Sequence, residues 1–124
     1  MSKFSKILVA SALALAASGA LADDVLCPSP DLVRQAQFVS VAQQSDGWKV
    51  ESNSLVFQGN NWKVGLLSNT FGTSTPDVIM QRAQGLLESP NVSLQAKYFR
   101  PGSCGYFFLE TNQKYIIISA YQSQ

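Results

Sequence analysis

The sequence predicts an α+β domain: an antiparallel sheet of six to seven short strands in meander hairpins, with two helices and one disulfide, in the order α-ββββ-α-βββ. Three observations carry this reading. Ser29-Pro30-Asp31 and Thr75-Pro76-Asp77 share one helix-start grammar, an N-cap hydroxyl, a proline in the first turn and an acid near the positive helix end. Elsewhere the apolar residues recur with a period of two. Short clusters of Gly, Asn, Ser, Asp and Pro separate those stretches.

The chain opens with a secretory signature. Lys3 and Lys6 give a basic start, Ile7 to Ala17 is an apolar run interrupted only by Ser11, and Ala20-Leu21-Ala22 supplies the small residues a signal peptidase reads. An apolar run of this length falls short of the roughly 20 residues that span hydrocarbon as a helix. Cleavage after Ala22 is expected, leaving a single α+β domain over residues 23–124. Leu26 precedes Cys27, where lipidation requires a small residue, so a soluble product is expected without stable membrane insertion. The exported domain carries seven basic and eight acidic residues. Near-neutrality gives it no electrostatic claim on nucleic acid or anionic membrane.

Cys27 and Cys104 are the only cysteines, and an oxidising compartment makes their pairing the default. The alternative is a pair of free or reactive thiols. A cysteine nucleophile here lacks its usual base, because the chain has no histidine.

In the first helix Leu32, Val33 and Ala36 share a face, until the pattern changes at Phe38. Strands are expected at 38–42, 47–52, 54–58 and 62–68, with turns at Ser45-Asp46-Gly47, Ser52-Asn53-Ser54 and Gly59-Asn60-Asn61. Hairpins about Asn53 and Asn60 place Trp48 and Trp62 either side of Gln58, on one face with Val50, Val56 and Val64. Lys49, Phe57 and Lys63 take the other face. Val78, Ile79, Ala83, Leu86 and Leu87 then form a helical stripe over 76–88, stopped at Ser89-Pro90. The recurrence of Ser-Pro-Asp-Leu-Val as Thr-Pro-Asp-Val-Ile fits a duplication or a shared helix-start grammar equally well.

The last strands are expected at 92–100, 105–111 and 114–121, joined through Pro101-Gly102-Ser103 and Asn112-Gln113. One face collects Ala96, Leu109 and Ile116, then Tyr98, Phe107 and Ile118. The other collects Lys97, Phe108 and Ile117, with Phe99, Tyr106 and Tyr115 nearby. Both faces are apolar. The stronger expectation for the second is burial beneath helix 76–88, which needs a sheet to lie on. The alternative is an exposed aromatic surface, and an uncovered surface of that kind favours a dimer.

The chemical inventory excludes more than it suggests. Without histidine there is no Ser-His-Asp set, no Cys-His pair and no ordinary zinc site. Scattered single glycines make no phosphate or dinucleotide loop. Asp23, Asp24 and Asp31 lack calcium-loop spacing. No cofactor or metal is expected. Asp46, Glu51, Asp77, Glu88 and Glu110 are the available carboxylates, and their positions in turns, helix ends and strands with lysines nearby suit solvated acids better than an acid and base pair. Two surfaces remain as candidate binding sites. Phe99, Tyr106, Phe108 and Tyr115, with Arg100 beside them, suit a protein interface. Trp48, Gln58 and Trp62 suit stacking on a glycan, although a row that continues into valines favours core packing.

Cys27-Pro28-Ser29-Pro30 and Asn61-Trp62-Lys63-Val64 carry a resemblance to a family of small exported proteins of unknown function from Gram-negative bacteria, in which a cysteine-proline segment opens the exported chain. The alanine-rich, lysine-led start agrees with a bacterial signal. The resemblance implies a periplasmic or secreted location and transfers no catalytic residue. The expectation from the residues is a non-enzymatic exported protein that binds another protein. A glycan- or envelope-binding module using Trp48 and Trp62 is the alternative, and a small carboxylate hydrolase the second.

Overall fold

The computed structural model describes residues 27–123, so the predicted signal segment and its cleavage after Ala22 lie outside the described residues. Two helices, α1 (Pro30–Arg34) and α2 (Pro76–Glu88), begin where their caps dictate. The Ser29 hydroxyl accepts the Leu32 N–H at 3.2 Å, and the Thr75 hydroxyl accepts that of Val78 at 3.4 Å. Seven strands form one antiparallel sheet: β1 (Phe38–Gln43), β2 (Trp48–Ser52), β3 (Leu55–Phe57), β4 (Asn60–Ser68), β5 (Lys97–Arg100), β6 (Ser103–Thr111) and β7 (Lys114–Gln122). The spatial order is β1-β2-β4-β7-β6-β5, and β3 also pairs with β4. The α-ββββ-α-βββ order is therefore as the sequence predicts.

One predicted turn is not a turn. Ser52-Asn53-Ser54 does not reverse the chain: β2 and β3 lie end to end along the same edge of β4, with Glu51 opposite Gly65 and Leu55 opposite Trp62. The extra residue at this kink shifts the register by one. At the junction the Ser52 hydroxyl accepts the Val64 N–H at 2.8 Å, and the Asn53 N–H turns to the Gln37 carbonyl at 3.0 Å. A one-residue shift exchanges the two faces of a strand. Val56 is accordingly 68% exposed, while Phe57 packs edge-on against Trp62 with ring centroids 6.3 Å apart. The hairpin turn itself is Gln58-Gly59, both residues at positive φ (52° and 79°), as a two-residue turn between twisted strands requires.

The core lies on one face of the sheet. Val41, Val50, Leu66, Ile118 and Phe107 stand opposite one another across five strands. Over that row α2 buries Ile79, Ala83 and Leu87, and α1 with its following turn buries Val33 and Ala36. Gln84 fastens the layers together: its amide oxygen accepts the Phe38 N–H at 2.8 Å, and its amide nitrogen donates to the Ala36 carbonyl at 2.9 Å. Arg34 closes the far end of α2, which has no basic residue in its own last turn. Its guanidinium donates to the carbonyls of Leu87 and Ser89, each at 2.9 Å, and to that of Val92. The unpaired carbonyls and negative dipole end of α2 are thus satisfied from α1.

The disulfide is present. Cys27 and Cys104 are joined, with Cα atoms 5.9 Å apart and a sequence separation of 77.

Tyr106 departs from the expectation of an aromatic beside Phe99 and Phe108. A bulge between Gly105 and Phe107 turns its side chain into the core, where it is 3% exposed and its hydroxyl donates to the Pro28 carbonyl. Burial pushes the Tyr106 phenol well above its ordinary value. The phenol stays neutral in the folded state at a pH where the unfolded chain ionises it. Its contribution is therefore complete below about pH 10 and declines as pH rises above that, by about 1.4 kcal/mol per pH unit. Unfolding free energies from urea titrations between pH 9 and 11.5 should fall at least that steeply, because the Tyr121 phenol on β7 is raised too, and Tyr106→Phe should make the fall shallower by about 1.4 kcal/mol per pH unit. An unchanged slope in the variant would assign the alkaline loss elsewhere.

Candidate functional site

With both helices on the core face, the opposite face of the sheet is open. This reverses the expectation that helix 76–88 buries the Phe108 face. Lys49, Leu67, Ile117 and Phe108 form one row across β2, β4, β7 and β6. Glu51, Gly65, Ser119, Gly105 and Lys97 form the next, and Lys63, Tyr121, Ser103 and Arg100 the third. The polar groups gather toward β2 and β4, and the apolar groups toward β6.

Two aromatic rings on this face lie over bare backbone. A Cβ on Gly105 would stand 2.5 Å from the Phe99 ring, and one on Gly65 would stand 3.0 Å from the Tyr121 ring. Glycine in a strand interior marks such close approach, and an aromatic laid across it restores the missing packing. The tyrosine is also part of a charged cluster. Its hydroxyl donates to Glu51, whose carboxylate lies 3.6 Å from the Lys49 ammonium, and that ammonium sits 5.8 Å from the Tyr121 ring centroid. The Tyr121 hydrogen bond is the main influence holding Glu51 below its usual value, with Lys49 and Lys63 adding to it and burial opposing. Burial first, then Glu51, pushes Tyr121 the other way. Sequence reading did not single out this cluster. Gly65, in the interior of β4, was the available sign.

The apolar end is different in kind. Phe99 is 60% exposed and Phe108 66%, and between them lies a cleft of about 470 Å³ lined also by Lys97, Gly105, Phe107 and Ile117. Arg100 is exposed at the β5–β6 turn on the same face. Tyr115 is not a free member of the patch. Its hydroxyl donates to Asp46 at 3.1 Å and its N–H to the Asn69 side chain at 2.8 Å, which tie the start of β7 to two loops. Of the predicted surface, then, Phe99, Arg100 and Phe108 remain exposed, Tyr115 is half-buried, and Tyr106 belongs to the core.

No family model matches this chain, and no curated protein and no solved structure is significantly similar to it.

The tryptophan pair does not assemble. Trp48 stands opposite Ser68, at the other end of β4 from Trp62, so roughly 20 Å of strand separates the two positions. Trp62 is 2% exposed, Trp48 is half-buried with its indole N–H on the Gly72 carbonyl at 3.1 Å, and Gln58 sits in the hairpin turn. The core reading of this row holds for Trp62. The carboxylates are likewise dispersed: Asp46 holds Tyr115, Glu51 holds Tyr121, Glu88 accepts from Gln84 at 2.8 Å, and Asp77 and Glu110 lie on α2 and β6. Among the described residues no group of three or more His, Cys, Asp or Glu is placed to hold a metal, and no helix is long and apolar enough to cross a membrane.

Proposed function

We propose that this is an exported, non-enzymatic protein whose activity is to bind another protein through the open sheet face around Phe99 and Phe108. The single observation that supports it most is the state of those two rings. Large aromatics more than half exposed, together, on a face the helices leave bare, are the composition of an interface centre and are unusual on an inert surface. Arg100 and Lys97 at the rim supply the polar border such centres have. The disulfide, the Arg34 clamp and the Gln84 bonds hold the sheet beneath them rigid, so little ordering cost falls on binding.

The test uses a double variant, Phe99→Ser with Phe108→Ser. Both rings are more than half exposed, so the variant should stay folded, with a thermal midpoint lower by about 5–10 °C as Gly105 loses the cover of the Phe99 ring. The disulfide-bonded parent, immobilised and exposed to proteins of its own envelope, should retain a partner that the double variant releases. Identical retention by both would remove this face from consideration.

A further inference from the structure

The apolar patch ends on an unpaired strand edge, and that edge points to the kind of partner. We infer that β6 accepts an added β-strand: an extended peptide segment of the partner, running antiparallel to residues 107–111, with a basic residue opposite Glu110 and an apolar residue opposite Phe108. This deepens the proposed function and rests on it.

The main-chain phase follows from the hairpin. Asn112 and Gln113 both have positive φ (51° and 67°), which makes a two-residue type I′ turn closed by the pair Thr111 and Lys114. That closing pair exchanges hydrogen bonds, and such pairs alternate along an antiparallel ladder. Thr111, Leu109 and Phe107 therefore aim their N–H and C=O groups at β7. Phe108 and Glu110 aim theirs the other way, where β5 does not reach: its last partner on β6 is Gly105. The chain itself continues this ladder by one bond, from the Gln95 N–H to the Tyr106 carbonyl at 3.0 Å, and then departs. A short peptide continues what β5 leaves unfinished.

The edge lacks the usual protections. Natural edges are shortened, bulged, or studded with lysine and proline. β1, at the opposite side of the sheet, has a bulge after Phe38, and Gln84 occupies the Phe38 N–H. Residues 107–111 run straight, with Phe108 at 66% and Leu109 at 49% exposure.

Side chains select the occupant. An apolar residue opposite Phe108 enters the cleft formed with Phe99 and Ile117. Glu110 is exposed and makes no ion pair among the described residues, so a basic residue two positions earlier in the peptide finds a carboxylate on the same face. A second copy of this chain fits poorly. Twofold pairing about Leu109 sets each Glu110 against a Phe108 ring and the two Glu110 diagonally together. Pairing about Glu110 opposes like charges directly, and pairing about Phe108 collides with the segment at Gln95.

The probe is acetyl-Thr-Lys-Val-Phe-Thr-amide, titrated into the ¹⁵N-labelled, disulfide-bonded protein. The Phe108 and Glu110 amide resonances should shift saturably, while those of Leu109 and Thr111 move less. Methylating the peptide nitrogen of its Phe should weaken binding about ten-fold by deleting one main-chain donor. Glu110→Lys should weaken it further, and a peptide with Glu in place of Lys should restore it. Equal binding by the methylated peptide would overturn strand addition while leaving the aromatic face as a binding surface. No shift at Phe108 or Glu110, or a concentration-dependent dimer that pairs this edge with itself, would overturn it too. Loss of partner retention in the double phenylalanine variant remains a separate readout of the broader function.

Discussion

Replacing Cys27 and Cys104 by serine should lower the unfolding free energy by about 2–5 kcal/mol, read as a drop in the urea midpoint with no new intermediate. The bond spans 77 positions, so it removes a large loop-closure entropy from the unfolded chain. It also has a local role. Cys27 anchors the segment leading to α1 against Cys104, which is fully buried opposite Ala120 on β7. A domain of this size has about 5–15 kcal/mol in total, so the loss is a substantial part of its stability. Reduction of the parent should reproduce the variant. A midpoint that stays fixed on reduction would show that the remaining contacts already hold this segment.

Arg34→Ala should cost about 2–3 kcal/mol, more than an ordinary half-exposed arginine. The guanidinium holds three carbonyls at once, two at 2.9 Å, at the place where α2 ends and the chain turns toward β5. Truncation leaves those acceptors facing an apolar surround that includes Val92 at 8% exposure. Arg34→Lys should recover less than half, since a point ammonium cannot reach in three directions as a planar fork does. Amide exchange between Ser89 and Val92 should speed up in both variants ahead of the rest of the molecule. Uniform acceleration across the sheet would instead mean that Arg34 acts on global stability alone.

Helix starts were legible because their chemistry is local. Ser29 and Thr75 cap the turns that follow them, and proline and aspartate in the first turn leave little choice of conformation. The Asn112-Gln113 hairpin was legible for the same reason, and its predicted pairs, Phe107 with Ile118 and Phe108 with Ile117, are present. The failures come from single extra residues. The kink at Asn53 looks like a turn in composition and acts as a bulge, so β3 changes face, with Val56 outward and Phe57 inward, while Trp62 and Val64 keep the predicted face. The bulge at Gly105 does the same to Tyr106. Neither insertion leaves a mark on hydrophobic alternation that distinguishes it from a turn. The segment from Val92 to Leu94 was read as strand because it is apolar, and it is buried without being paired. The face chosen by α2 depends on where β1 sits, a non-local matter. Of the candidate surface, Phe99, Arg100 and Phe108 were found in sequence. The free edge beside them was not, because it exists only where β5 stops.

The position of β7 carries a consequence for how the molecule is made. It is the last of the seven strands to leave the ribosome, yet it lies between β4 and β6 near the centre of the sheet. Until it arrives, the β1–β4 portion and the β5–β6 hairpin share no strand, and Ile118 and Ala120 are missing from the interior. Closure of the sheet therefore waits for β7. A premature stop before Lys114 should leave the β1–β4 portion and the β5–β6 hairpin unjoined, which limited proteolysis of the truncated chain would read as rapid cleavage throughout.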